Sequence, residues 1–122
     1  MSFAAGTLKG KSAVVTGGAT GIGAHIVRML GSLGANVGIV SRKEDKLRSA
    51  VNAFKSEDGI DVKWHTGDVR DSEGMKAVMA NFAESLGGID ILICNAAGNF
   101  ICPTEELSWN GWRTVIEIDL NG

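Results

Sequence analysis

The chain has 122 residues, with 12 Lys and Arg against 14 Asp and Glu for a net charge of −2. That length holds one domain at most, and the near balance of charge argues against a surface given over to nucleic acid. Hydrophobic residues at 44% and charged residues at 21% exclude wholesale disorder, and no apolar run reaches the ~18 residues of a membrane span.

Ser12 to Thr16 reads as a buried strand. A helix follows, with Ile22, Ile26, Val27, Leu30 and Leu33 on one apolar stripe and Gly34 at its end. Residues 37–40 form a second short strand, and Leu47, Ala50, Val51 and Phe54 mark a second amphipathic helix ending near Asp58-Gly59. Residues 60–65 alternate as a third strand. Asp71 or Ser72 caps a third helix, whose buried stripe is Met75, Val78, Met79, Phe82 and Leu86. Gly87-Gly88 stops it, and residues 89–94 give a fourth strand. From about Thr104 to the end the spacing reads as a fourth helix.

Strand then helix, four times over, is the pattern of an α/β, Rossmann-like doubly wound parallel sheet. Each βα unit takes about 30 residues, so about four units fit, against six strands or more in a complete dinucleotide-binding sheet. The chain is therefore read as the N-terminal part of a single domain. Its apolar fourth strand would be left with a sticky edge.

Thr16-Gly17-Gly18-Ala19-Thr20-Gly21-Ile22-Gly23 joins the first strand to the first helix. Glycine lets the backbone turn sharply and lets phosphates approach the amide N–H groups. The helix N-terminus adds partial positive charge for a pyrophosphate. A merely tight turn is the alternative. NAD sites place an acid at the end of the second strand, about 20 residues past the glycines. Here that point reads Val40-Ser41-Arg42-Lys43, with no acid before Glu44. Arg42 can fork a 2′-phosphate and Ser41 can donate to it, so the expected cofactor is NADP(H). The alternative is a solvated basic helix start. On this reading residues 1–122 are the NADP-binding part of the domain.

In these residues the chain resembles the short-chain dehydrogenase/reductase family. Thr16 to Gly23 matches its T-G-x-x-x-G-x-G turn, Asp68-Val69 its acidic pair after the third strand, and Asn95-Ala96-Ala97-Gly98 its N-x-A-G motif after the fourth. The resemblance implies that Gly17, Thr20, Gly21, Ile22, Gly23, Ser41, Arg42, Asp68, Val69, Asn95, Ala96, Ala97 and Gly98 bind the cofactor. Asp68 would accept from the adenine amino group, or else simply turn the chain after Gly67. Asn95 either contacts cofactor or ties backbone across neighbouring strands.

The stretch from Asn95 to Pro103 is similar to that of 2,4-dienoyl-CoA reductases, which implies a small-molecule acyl-CoA substrate with Asn99 and Phe100 at its mouth; Phe100 packing in a loop is the alternative. Asp119 lies seven, four and three residues after Trp112, Val115 and Ile116, on one apolar helix face. Desolvation there should raise its pKa, unless it sits partly solvated near a helix end. The peroxisomal branch of these reductases has an Asp here that works with a Lys through a water as proton source, which implies a catalytic Asp119. Asn121 is implied as a second substrate contact.

The family's Tyr-x-x-x-Lys pair has no counterpart, since the chain has no Tyr, so these residues alone are expected to be inactive. The implied function is an NADPH-dependent reductase of 2,4-dienoyl-CoA in unsaturated fatty acid β-oxidation. The alternatives are a trans-2-enoyl-CoA reductase, a carbonyl/alcohol oxidoreductase, or a non-catalytic NADP-binding module. A homo-oligomer, a tetramer in this family, is expected, with no nucleic-acid or membrane partner. The location is cytoplasmic, or alternatively peroxisomal. No metal site is expected: His25 and His65 lack partners, and Cys94 and Cys102 are expected to be reduced thiols.

Overall fold

A computed structural model describes residues 6–19, 21–68, 70–95 and, for its backbone, 114–118. Five strands and three helices follow one another as β1 (Ser12–Thr16), α1 (Gly21–Ser32), β2 (Asn36–Ser41), α2 (Glu44–Asp58), β3 (Val62–Thr66), α3 (Ser72–Leu86), β4 (Ile91–Asn95) and β5 (Thr114–Ile118). The strands form one parallel sheet in the order β3-β2-β1-β4-β5. This is the Rossmann-like, doubly wound architecture that the strand-helix alternation implies.

Strand side chains alternate between faces, and the sheet uses both. Ala13, Val15, Val37, Ile39 and Ile93 pack with Val27 and Leu30 of α1 and with Leu47 and Phe54 of α2. Val14, Val40, Leu92 and Cys94 pack with Met75, Met79 and Phe82 of α3. β1, buried at every residue, is the central strand between the two layers.

The helix ends follow local chemistry. Gly59, at φ 68°, takes the left-handed position after α2. Its N–H donates to the Lys55 carbonyl and that of Ile60 to Phe54, both at 3.1 Å, which satisfies carbonyls that the last turn would leave open. At the start of α3 the cap is Asp71, whose Oδ1 accepts from the Gly74 N–H at 3.1 Å. Ile22 is the departure on α1: it lies 52% exposed, and the buried stripe runs instead through Gly23, Ala24, Val27 and Leu30.

Two expectations are corrected. The helix expected from Thr104 onward is overturned at Thr114–Ile118, which is a strand paired with β4 from Ile91↔Thr114 to Asn95↔Ile118. Four of its five residues are β-branched, which favours extended backbone, and it covers the apolar β4 edge that would otherwise be open. A strand repeats every two residues rather than 3.6, so the helical face argued for Asp119 has no basis at 115 and 116. Asp119 and Asn121 themselves lie outside the described residues. Cys94, 2% exposed, is disulfide-bonded rather than a reduced thiol; Cys102 lies outside the described residues. Among the described residues no helix is long and apolar enough to cross a membrane.

Candidate functional site

The sheet register brings four strand ends to one edge. Thr16 lies opposite Val40 and Cys94, and Ser41 opposite Thr66. The turns leaving these ends therefore share the carboxyl edge of the sheet. The chain winds away from β1 in opposite directions, through β2 and through β4, and ligands of such sheets bind where the order reverses.

The glycine-rich turn is built by close approach. Gly17 has φ 67°, a conformation that suits glycine and few others. Its N–H donates to the Val40 carbonyl at 2.9 Å. Gly23 packs against this turn so tightly that a Cβ there would run into the Gly17 carbonyl oxygen and the Asn95 side-chain amide. α1 thus begins directly over the turn, and its first turn carries no acidic side chain. The N–H groups and positive dipole end of α1 remain available to an anion. Gly21 opens the helix; Thr20 lies outside the described residues.

Asn95 is placed as a structural tie. Its Nδ2 donates to the Gly17 carbonyl at 3.3 Å and its backbone N–H donates to Thr16 Oγ1 at 2.9 Å. These bonds hold the end of β4 against the turn after β1. Thr16 is fully buried, so the Asn95 N–H depends on that hydroxyl. Thr16→Val, near in shape, should cost about 1–3 kcal/mol through an unsatisfied N–H, while Thr16→Ser should recover most of it. Urea unfolding of the two variants measures this, and a Thr16→Val protein as stable as the parent would show that the tie is dispensable.

A cleft of about 250 Å³ opens between the turn and the end of β2, lined by Gly17, Ala19, Ser41, Arg42, Lys43 and Lys46. Its three cations are left out of ion pairs. Among the described residues Arg28, Arg48, Lys55, Arg70 and Lys76 each bridge an acid, whereas Arg42, Lys43 and Lys46 take part in no salt bridge. Glu44, the first acid past β2, is turned to Arg48 at 2.9 Å and does not line the cleft. Lys43 is also the N-cap of α2 and makes no side-chain cap bond. Ser41 and Arg42 were expected here. Lys46, in the first turn of α2, joins them in the cleft without a motif in the sequence to mark it.

Beside the cleft, the Gly67 N–H donates to the Ser41 carbonyl at 2.9 Å, which brings Asp68 next to the end of β2. The Asp68 carboxyl is pulled down to about 2, first by hydrogen bonds from the Arg70 side chain and backbone N–H, and further by the charges of Arg70 and Arg42. It is an ionised acceptor at neutral pH. Val69, Ala96, Ala97, Gly98, Asn99 and Phe100 lie outside the described residues. Of the histidines, His25 is exposed and His65 packs edge-on against Phe82 at 4.8 Å.

A family model described as short chain dehydrogenase matches residues 11–122. The chain belongs to the short-chain dehydrogenase family. It is 40% identical over 120 residues to a peroxisomal 2,4-dienoyl-CoA reductase [(3E)-enoyl-CoA-producing] of Arabidopsis thaliana, a match covering 98% of this chain and 40% of that relative. It is 37% identical to a probable 2,4-dienoyl-CoA reductase [(2E)-enoyl-CoA-producing] of Bacillus subtilis, over 92% of this chain and 44% of the relative. The chain thus spans less than half the length of these relatives. Among solved structures, the citronellol catabolism dehydrogenase of Pseudomonas aeruginosa superposes with a TM-score of 0.73 at 37% identity, covering 89% of this chain and 44% of that one. A metagenomic short-chain oxidoreductase in complex with NADP gives a TM-score of 0.70 at 37% identity, covering 75% and 41%.

Proposed function

We propose that residues 1–122 are the NADP(H)-binding part of a single-domain reductase that acts on 2,4-dienoyl-CoA in unsaturated fatty acid β-oxidation. The observation that carries the cofactor reading is the cleft at the end of β2. It gathers Arg42, Lys43 and Lys46 with no acid on its walls, so a 2′-phosphate finds cations there and ribose hydroxyls find no carboxylate. The dinucleotide fits the remaining features. The Gly17-to-Gly23 turn and the α1 N-terminus would hold the diphosphate, Ser41 and Arg42 the 2′-phosphate, and Asp68 the adenine amino group. Asn95 would keep the turn and the β4 end in place, with Thr20, Val69, Ala96, Ala97 and Gly98 completing the contacts that the family motifs imply.

When bound, NADPH supplies the hydride that reduces the conjugated acyl chain. The chain's own part is to hold that cofactor and the acyl-CoA, and to supply a proton near the thioester. Asn99, Phe100 and Asn121 are the proposed substrate contacts. Asp119 is the proposed proton source, acting with a Lys through a water, on the strength of the family resemblance. The two dienoyl-CoA reductase relatives support this substrate class, and a homotetramer in the cytoplasm or in peroxisomes is proposed on the family resemblance alone.

The deciding assay follows NADPH oxidation by the full-length gene product with a dienoyl-CoA and with a simple ketone. Decay with the dienoyl-CoA and little with the ketone is expected. The reverse would make the protein a carbonyl oxidoreductase, and decay with neither would leave an NADP-binding module. In the same assay Asp119→Ala should lower turnover by about 100-fold or more, the scale of general acid catalysis, with NADPH affinity unchanged. Unaltered turnover would remove Asp119 from the mechanism.

A further inference from the structure

The carboxylate of Asp68 is held by a single neighbour from three directions. Arg70 Nε donates to Oδ1 at 3.1 Å and Nη2 to Oδ2 at 3.0 Å, while the Arg70 backbone N–H donates to Oδ1 at 2.9 Å. A carboxylate offers about four acceptor directions across its two oxygens, so the fork leaves roughly one of them for another donor. The group's rotation is fixed as well, because a planar guanidinium bonded to both oxygens sets the carboxylate plane. Its position relative to the cleft is fixed in turn by the Gly67 N–H bond to the Ser41 carbonyl.

Two consequences follow for a nucleotide in the cleft. The free direction on Asp68 accepts one hydrogen bond and can give none, so it suits an exocyclic amine and repels a carbonyl oxygen at the same place. The selection is sharp only while the carboxylate cannot turn to solvent. Arg70 is 68% exposed at its side chain against 36% for Asp68, and outside the fork and its backbone bond it is engaged by no other acid among the described residues. It belongs to neither core cluster.

We infer that Arg70 is a positioning residue for base selection: by forking Asp68 it aims one carboxylate lone pair at the base and makes the site choose an amino-purine over an oxo-purine. This rests on the reading of the cleft as a dinucleotide site, and it adds to that reading a residue that would not touch the cofactor.

The test compares binding of NADPH, NADH and deamino-NADPH, in which the adenine amino group is replaced by a carbonyl, by titration calorimetry on the full-length gene product. The parent should favour NADPH over the deamino analogue by roughly tenfold or more, the value of a hydrogen bond to a charged group. Arg70→Ala, at an exposed position, should fold normally and narrow that ratio to about threefold or less, while the NADPH-to-NADH ratio, set at Arg42, stays the same. Asp68→Asn should erase the base preference, since its amide can either donate or accept. Adding Arg70→Ala to Asp68→Asn should then change nothing further, as expected of two residues acting as one unit. An unchanged base ratio in Arg70→Ala, or a shift that persists in the Asp68→Asn background, would overturn the inference and leave the dinucleotide reading intact. A parent that binds none of the three nucleotides would overturn both.

Discussion

Arg42→Ala lowers the affinity for NADPH by roughly 10- to 100-fold, the range of a charge-assisted hydrogen bond, and leaves NADH binding within about twofold of the parent. The argument is one of position and charge. Arg42 follows directly on β2 and lines the cleft with Ser41, Lys43 and Lys46. It bridges no acid among the described residues, so its fork is available to a phosphate. Lys43 and Lys46 remain in the variant and still attract a dianion, which is why the loss stays finite. Their share is a point-charge attraction, screened over about 10 Å at 0.1 M salt. With one of three cations removed, the residual preference of Arg42→Ala should fall less steeply with added salt than that of the parent. Arg42→Lys should land between the two, because an ammonium keeps the charge but loses the planar fork. Titration calorimetry with both nucleotides at two ionic strengths measures all of this. Equal losses for NADPH and NADH would place the 2′-phosphate elsewhere.

Lys46 sharpens the same point. In the sequence the basic run after β2 ends at Lys43, followed by two acids, Glu44 and Asp45. Read linearly, those acids neutralise the run. In the fold Glu44 turns along α2 to meet Arg48, while Lys46 comes round into the cleft.

Legibility tracked how local the deciding interaction is. β1 was readable to the residue, because five buried positions in a row leave little choice. The caps of α2 and α3 were readable because Gly59 and Asp71 act within their own helix turn. The apolar residues of 114–118 fit a helical stripe on paper, yet the segment is a strand. What decides its state is pairing with β4, which lies 23 residues earlier and is invisible to a window of neighbours. Ile22 was misassigned to the buried stripe for a related reason: the apolar count on α1 is satisfied by Gly23 and Ala24, whose burial comes from the tight approach to the turn. The site itself was legible as a set of motifs but not as a geometry. The sequence leaves Asn95 open between a cofactor contact and a structural tie, and the fold shows the tie in its bond to the Gly17 carbonyl; the Arg70 fork on Asp68 carries no sequence signature at all.

Gly23→Ala should be among the most damaging single-methyl changes in the described part of the chain. In an ordinary helix interior, glycine to alanine stabilises by about 0.5–1 kcal/mol. Here the added Cβ has nowhere to go, because the atoms it meets are the Gly17 carbonyl oxygen and the Asn95 amide. The first is backbone and cannot swing aside, and the second is the donor that ties β4 to the turn. Relief requires α1 to lift off the turn, which breaks that hydrogen bond and opens the diphosphate cradle. Overpacking of this kind costs about 1–3 kcal/mol, and the broken bond adds about 1 kcal/mol. Net destabilisation of about 2–3 kcal/mol is expected, together with loss of NADPH binding even under conditions where the variant is still folded. Gly59→Ala supplies the contrast. Its φ of 68° makes alanine strained, but a Cβ there meets nothing within 4 Å, and it lies at the far end of α2 from Lys43. It should lose only about 1–2 kcal/mol of stability and bind NADPH as the parent does. Urea unfolding and NADPH titration on the two variants separate a strained backbone from a blocked close approach. If Gly23→Ala bound NADPH normally, the tight seat of α1 on the glycine turn would have no part in holding the cofactor.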